Sequence, residues 1–592
     1  LGQYDEAAAA YRRAIALRPD SAALYYALGR VHRSAGELED AVAMFALAAG
    51  VDPSESKFER ALGDALRAQG RPNDAAAAYR RAILLAPDRP EAAVALGALY
   101  RQEGRPGRAV AVYRRVLRDH PQLAGAWFNM AAALFDLDRL EAAAEAWRRA
   151  IAIDPQMAEA HRYLGNVLQK LGRHDEARAA VDEAARIAPT SPTVVADLIY
   201  RARLDADWQT ATGLFEASDR DLCRALADGQ DPAMSAHAAL IFYDDPALHR
   251  DLAVAQARRA ARNVVISKDR AKARIAPGKT PIRIGYLSGD IGDHPVSHLL
   301  RGLFGAHDRE RFVVHLYAFG RDDGSVYRRA IKDGVDRFVD ATAMNDGAVA
   351  REIARDGIDI LVDLNGQTGS ARMGIPARRP APVQAVWLGY PGTGGGDWND
   401  YIIADRIVAP PSDAEFYVEK LCLLPHCYLA TDDSQPIAPG RMTRADAGLP
   451  PTGFVLASFN SSYKIGPDIF DVWMRILRAI DGAVLWLPDF DAAVSGRLRA
   501  AATARNVDPA RLVFAPRIPK EWHLRRLALA DLALDTIDYN GHTTTADALW
   551  AGLPVLTATG RSFARRVSAS LLATLGVTAL ARPPHEAHAT EA

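Results

Sequence analysis

The sequence predicts an all-α superhelix of repeats over residues 1–191, followed beyond residue 278 by an α/β region of two Rossmann-like domains. Two observations carry this prediction. Prolines recur every 34 residues from Pro19 to Pro189, and after Pro277-Gly278-Lys279-Thr280-Pro281 short apolar runs alternate with helical stretches. At 592 residues the chain is too long for one core, so several domains are expected. They are a repeat region over 1–191, a helical connector over 192–277, a first Rossmann-like domain over 278–435 and a second over 436–592.

The repeat region rests on four series in register. Prolines stand at 19, 53, 87, 121, 155 and 189, and Gly2, Gly36, Gly70, Gly104, Asp138 and Gly172 keep the same period. So do the small residues Ala7, Ala41, Ala75, Ala109, Ala143 and Ala177, and the bulky residues Tyr11, Phe45, Tyr79, Tyr113, Trp147 and Val181. Proline ends a helix because it lacks an N–H and clashes with a preceding carbonyl. Glycine at the turn adopts positive φ without steric cost. Small residues facing bulky ones let two helices approach closely. A helix–turn–helix period of 34 is the tetratricopeptide (TPR) signature, here about five full repeats over 22–191 and part of one before. Such a solenoid presents a groove suited to peptide or protein.

Hydrophobic residues make up 49% of the chain and charged residues 24%, an ordinary globular balance. The formal net charge of -1 gives no basic field for nucleic acid or an anionic membrane, so neither is expected as a partner. Cys223, Cys422 and Cys427 are the only cysteines and pair with no histidines in a zinc-like pattern, which suits a reducing compartment. No apolar run is long enough to span a bilayer, and a cytoplasmic location is expected. The chain opens inside the repeat pattern, so its natural N-terminus is expected upstream.

In the α/β region, strands are expected at 282–287, 312–318, 358–364, 383–388 and 401–403. A second set is expected at 454–459, 483–487, 512–515, 532–534 and 555–557, separated from the first near the proline-bearing stretch 436–451. Alternating strands and helices give parallel, doubly wound sheets, whose ligands bind beyond the carboxyl ends of the strands. The residues from 192 to 277 read as a solvated helical connector with basic clusters such as Arg258-Arg259-Ala260-Ala261-Arg262.

The loops after the strands hold the candidate chemistry. Asp535-Thr-Ile-Asp-Tyr-Asn-Gly-His-Thr-Thr-Thr-Ala-Asp547 leaves a strand and enters a helix read at 545–551. Thr543 and Thr544 offer hydroxyls and free N–H groups at its start, an anion site suited to a diphosphate. Asp547 near that end can accept bonds from ribose hydroxyls. Ser458-Phe-Asn-Ser-Ser-Tyr-Lys464 supplies a lysine that can neutralise a leaving diphosphate. A third loop, 516–526, adds Lys520, His523 and Arg526. On the first sheet, Ser288-Gly-Asp-Ile-Gly-Asp-His-Pro-Val-Ser-His298 places His294 and His298 where the leading strand feeds its helix, as bases or as groups that orient a hydroxyl. Leu388-Gly-Tyr-Pro-Gly-Thr-Gly-Gly-Gly396 is glycine-rich and would let backbone approach a ligand, but lacks the lysine and hydroxyl of a Walker loop. Asp489-Phe-Asp491 is read as solvated rather than as metal-binding.

Together these segments resemble the protein O-linked N-acetylglucosamine transferases of glycosyltransferase family 41, a family that includes SPINDLY-type enzymes. The resemblance is carried by Gly285-Tyr-Leu-Ser-Gly-Asp290, His294-Pro-Val-Ser-His298, Arg379-Pro-Ala-Pro-Val-Gln384, Trp387-Leu-Gly-Tyr-Pro-Gly-Thr393, Pro519-Lys-Glu-Trp-His523, Asn540-Gly-His-Thr-Thr544 and Leu549-Trp-Ala-Gly-Leu-Pro554. It implies a GT-B catalytic region, UDP-N-acetylglucosamine as donor, protein or peptide acceptors bound through the TPR groove, and inverting transfer to serine or threonine with neither metal nor cofactor. Lys464 matches the lysine that stabilises the leaving diphosphate. Lys520, His523, Arg526, His542, Thr543, Thr544 and Asp547 match nucleotide-binding positions, and Ser461 stands where animal members carry a glutamine near the base pocket. His294 matches a histidine beside the acceptor, with orientation the expected role, and Asp356 an acid discussed as proton acceptor.

Three departures qualify the match. The asparagine of peptide-clamping repeats is replaced at most positions, which read Ala27, Ala61, Ala95, Asn129 and Tyr163. The glutamine is replaced by Ser461. The family continues with helices beyond Leu575, whereas this chain ends in a polar tail over 581–592, so a truncated product is expected. Two alternatives stand beside the leading one: a SPINDLY-like fucosyltransferase using GDP-fucose, and a TPR scaffold whose catalytic half is inactive.

Overall fold

The computed structural model describes residues 2–262, 264, 275 and 278–582, so Pro277 and most of the polar tail lie outside the described residues. The chain divides into two compact units, Leu1–Pro189 and Thr190–Ala592.

The first unit is a stack of antiparallel helix pairs. The second helices of the pairs, Leu38–Val51, Pro72–Leu85, Pro106–Asp119, Leu140–Ile153 and His174–Ile187, begin 34 residues apart and each ends two residues before a periodic proline. The turns are left-handed at Gly36, Gly70, Gly104 and Gly172, and Asp138 takes the same conformation at φ 54°. The small and bulky series are both buried. Ala41, Ala75, Ala109, Ala143 and Ala177 are fully covered, and so are Phe45, Tyr79 and Tyr113. Their rings press on Gly29, Gly63 and Gly97 of the preceding helices, where a Cβ would lie within 2.6–2.8 Å of ring carbons. Burying each ring stabilises the stack by about 2–3 kcal/mol.

Among the positions where an asparagine would clamp peptide, Ala61 is buried and Tyr163 stacks on Trp147 with ring centroids 5.6 Å apart. Asn129 lines a cavity of about 360 Å³ with Arg101, Gln102, Tyr113 and Asp136.

The second unit contains two parallel sheets. The first comprises β1 (Ile282–Ser288), β2 (Phe312–Ala318), β3 (Arg337–Asp340), β4 (Ile360–Asp363), β5 (Val383–Val386), β6 (Tyr401–Asp405) and β7 (Lys420–Leu424), in the order β3-β2-β1-β4-β5-β6-β7. The second comprises β8 (Val455–Ala457), β9 (Val484–Pro488), β10 (Leu512–Ala515), β11 (Leu532–Leu534), β12 (Val555–Ala558) and β13 (Ala581–Arg582), in the order β10-β9-β8-β11-β12-β13. Every expected strand is present, and β3, β7 and β13 are additional. All three are edge strands. The chain reverses its direction of travel across each sheet between β1 and β4 and between β8 and β11, which marks the two crevices where ligands bind in such sheets.

The segment expected as a solvated connector packs into this unit. Its helices are Pro192–Leu204, Trp208–Ala227, Ala236–Phe242 and Pro246–Ala261. The side-chain amide of Gln367 donates to the Ala253 carbonyl at 3.0 Å, and the Tyr390 hydroxyl donates to the Ala236 carbonyl at 3.1 Å. The Trp208 indole N–H donates to the Ile465 carbonyl at 2.9 Å. Its basic cluster is engaged locally, with Arg258 on the Gly229 carbonyl and Arg262 on Asp231.

These contacts change the reading of the glycine-rich loop. A Cβ on Gly395, at φ 73°, would lie 2.3 Å from the Ala253 backbone, and one on Gly389 2.1 Å from the Leu364 carbonyl oxygen. Gly389 and Gly395 there admit neighbouring protein backbone. No helix among the described residues is long and apolar enough to cross a membrane.

Candidate active site

Lys464 closes the turn after β8, and His542 precedes the helix Thr543–Trp550 after β11. Because β8 and β11 are neighbours, the two loops meet over the crevice of the second sheet. The Lys464 ammonium donates to the Asn540 carbonyl at 2.8 Å and lies 3.9 Å from the centroid of the Tyr539 ring. Lys464 is buried, and its cation is held by a carbonyl and an aromatic face rather than by a carboxylate. Burial pushes its pKa down to about 7, against a weaker upward pull from Asp535.

The loop 535–542 is stiffened from within. The Asp535 carboxylate accepts from the Gly541 N–H at 2.7 Å and from the Thr557 hydroxyl at 2.7 Å, and Asn540 donates to the Thr536 carbonyl. Gly541 is required by packing, since a Cβ would lie 2.5–2.6 Å from the hydroxyls of Thr545 and Thr544. Thr544 donates to Asn460 at 2.8 Å, which ties the two loops together.

Several buried polar atoms here have no hydrogen-bond partner among the described residues: Ser458 Oγ, Asn540 Oδ1, His542 Nε2 and His237 Nδ1. Buried polar groups are normally satisfied, so these atoms mark a candidate place for a polar ligand. His542 is held neutral by burial and by the nearby Lys464 and His237.

The third loop supplies the rest of this wall. Lys520 opens the helix Lys520–Leu527 and pairs with Asp547. Burial raises the Asp547 pKa, opposed by Lys520. Arg526 donates to His523 Nδ1 at 3.0 Å and to the Pro516 carbonyl at 2.7 Å, and lies over the Phe459 ring. Burial lowers His523 to about 3 and Arg526 to about 10. Ser461 opens the turn that carries Lys464 and is exposed.

The opposite wall comes from the first sheet. His294 caps the helix Pro295–Leu300, its Nδ1 accepting the Val296 N–H at 3.3 Å. That bond leaves the proton on Nε2, so the outward nitrogen is a donor. His298 Nε2 bonds Asp293 at 2.8 Å, and burial followed by Lys520 lowers its pKa. A cavity of about 360 Å³ lined by His298, Thr543, Asp547, Leu549 and Trp550 joins the two walls.

Asp356 stands apart from this assembly. It follows the helix Asp346–Arg355 and precedes β4, at the amino-terminal end of a sheet whose opposite end carries His294. Its carboxylate accepts from the Tyr317 hydroxyl at 2.6 Å and lies 3.3 Å from Arg337. Asp491 caps the helix Ala492–Ala504. Among the described residues, metal-ligand-type atoms cluster only at His32, Glu37 and Asp40, in the repeats.

Residues that motif reading missed include His237 and Tyr539. Tyr539 lies within the loop 535–547, where an apolar strand end followed by an aromatic residue could have flagged it. His237 belongs to the helical segment and carried no such signal.

Tetratricopeptide-repeat families match residues 1–36, 22–55, 60–124 and 128–192. The description Glycosyl transferase family 41 matches residues 232–439 and 430–589. A TPR array followed in the chain by two parallel-sheet domains defines the class, a TPR-bearing protein with a glycosyltransferase-type region. The chain belongs to glycosyltransferase family 41.

It is 40% identical over 301 residues to the probable UDP-N-acetylglucosamine--peptide N-acetylglucosaminyltransferase SEC of Arabidopsis thaliana, a match covering 50% of this chain and 31% of that one. It is 30% identical over 411 residues to the UDP-N-acetylglucosamine--peptide N-acetylglucosaminyltransferase of Caenorhabditis elegans, covering 50% and 36%. The chain thus spans about a third of the length of these curated relatives. Its structure is similar to a lysine-to-methionine mutant of Thermobaculum terrenum O-GlcNAc transferase, with a TM-score of 0.58, 29% identity, and coverage of 84% of this chain and 88% of that one.

Proposed function

We propose that this chain is a protein O-glycosyltransferase that moves N-acetylglucosamine from UDP-N-acetylglucosamine to serine or threonine hydroxyls, with inversion and without a metal ion. The observation that carries the reading is Lys464, a buried cation with no carboxylate partner among the described residues, set beside unpartnered buried polar atoms and the start of a helix at the sheet's crevice.

In this reading the diphosphate lies over the start of Thr543–Trp550, where the free N–H groups and the Thr543 hydroxyl receive it while Thr544 keeps its bond to Asn460. Lys464 neutralises the charge that develops on the leaving phosphate, the part a divalent cation would otherwise play. Lys520 and Asp547 face the ribose, and Arg526 and His523 complete the nucleotide wall. The acceptor hydroxyl attacks the anomeric carbon as that carbon's bond to the phosphate oxygen breaks, and the hydroxyl's proton leaves with the departing diphosphate. His294, with its proton on Nε2, donates to the acceptor oxygen and orients it rather than taking its proton. The relatives' names support UDP-N-acetylglucosamine as donor and peptide as acceptor, and the repeats support a protein acceptor.

The test is turnover of UDP-N-acetylglucosamine and of GDP-fucose, each with and without EDTA, with product read by intact mass. Transfer from the UDP sugar, unaffected by EDTA and reduced about 10²–10³-fold in Lys464→Ala, is the expected result. Transfer only from GDP-fucose would make the chain a SPINDLY-like fucosyltransferase. Nucleotide binding without turnover of either donor would leave a TPR scaffold with an inactive catalytic half.

A further inference from the structure

Among the described residues Lys464 has no carboxylate to hold it, so its position depends on the backbone of its turn, and that backbone is gripped from the helical segment. Arg203, near the end of the helix Pro192–Leu204, is buried. Its Nε donates to the Tyr463 carbonyl at 3.0 Å, one residue before Lys464. Its other arm forms an ion pair with Asp538, in the loop that carries His542. One guanidinium therefore ties together the two loops that form the crevice. The Ser462 hydroxyl donates to the Leu204 carbonyl at 2.7 Å, and Trp208 holds the Ile465 carbonyl, so the turn is fastened on both sides of Lys464. Gly466 is shaped by the same grip, since a Cβ there would lie 2.4 Å from the Asp538 carboxylate and 2.5 Å from the Arg203 guanidinium.

We propose that Arg203 is a positioning residue for the proposed donor site, setting Lys464 against the loop of His542, so that the helical segment is a working part of that site. A planar guanidinium suits the task because it bonds a carbonyl and a carboxylate at once in fixed geometry, which a lysine cannot do. The proposal rests on the donor-site reading given above, and it concerns how Lys464 is held rather than what it does.

A double-mutant cycle on the full chain tests it, with UDP as the probe in calorimetric titration. Arg203→Met should weaken UDP binding about tenfold when Lys464 is present and less than about twofold in a Lys464→Ala background. Asp538→Asn, which leaves the helix residue in place, should reproduce the pattern should Arg203→Met fail to fold. In turnover the loss from Arg203→Met should fall mainly on kcat, and Arg203→Lys should restore little of it. Equal weakening in both backgrounds would mean that Arg203 only supports the fold and would overturn the proposal while leaving the donor site intact. No weakening by Lys464→Ala itself would overturn the donor-site reading and this proposal with it.

Discussion

Replacing Lys464 with methionine should make the unliganded protein more stable, by an amount that depends on pH. The folded protein holds this ammonium in a buried site that pushes its pKa from 10.5 down to about 7. The unfolded chain binds the proton more tightly than the folded one, so stability rises with pH between those two values. Below pH 7 both states are charged, and burying the cation costs about 5 kcal/mol at 1.36 kcal/mol per pKa unit. At pH 9 the folded lysine is neutral and only about 2 kcal/mol of that cost remains. The carbonyl of Asn540 loses its donor in the variant, a loss of about 1 kcal/mol at either pH. Lys464→Met should therefore gain about 4 kcal/mol at pH 6 and about 1 kcal/mol at pH 9. Urea unfolding at both pH values, followed by near-UV signals of the catalytic unit, reads the difference. A variant that is no more stable than the parent at pH 6, or whose gain does not shrink at pH 9, would refute the reasoning.

Three further outcomes follow from particular contacts. UDP binding should recharge Lys464, so affinity should fall about tenfold per pH unit above pH 7, accompanied by uptake of nearly one proton in titrations across buffers of different ionisation enthalpy. Asp356→Asn should leave sugar transfer within a few-fold of the parent while lowering stability by about 1–3 kcal/mol, because Tyr317 and Arg337 lose a charged partner. Gly395→Ala should cost about 3 kcal/mol in thermal unfolding, from a left-handed backbone and a Cβ against Ala253. Weakened UDP binding without lost stability in that variant would restore the loop to a ligand-binding role.

How much could be read from the sequence depended on the range of the interactions. The repeats were legible because each determinant recurs at fixed spacing, and even Asp138 in the glycine series keeps the left-handed turn. Strands buried on both faces announced themselves as apolar runs. The edge strands β3 and β7 did not, because Arg337–Asp340 and Lys420–Leu424 carry exposed residues at their ends or in alternation.

The loops of the proposed donor site could be picked out because ligands in doubly wound sheets lie beyond strand ends, and Lys464 and His542 follow adjacent strands. What holds them could not. Arg203 meets Tyr463 and Asp538 across 260 and 335 residues, and no local pattern encodes such contacts. Asp356 shows the converse, since an acid after a helix reads alike whether it faces a crevice or closes an ion-pair cluster at the far end of the sheet. The glycine-rich loop was ambiguous for the same reason. Glycine admits any close neighbour, and here the neighbour is another helix of the same unit.

The most direct test of the account is titration of the folded protein and of Lys464→Ala with UDP and with GDP. The account predicts that UDP binds more tightly than GDP and that the variant loses at least about tenfold in UDP affinity. Equal UDP affinity in parent and variant, or no binding of either nucleotide by folded protein, would contradict it.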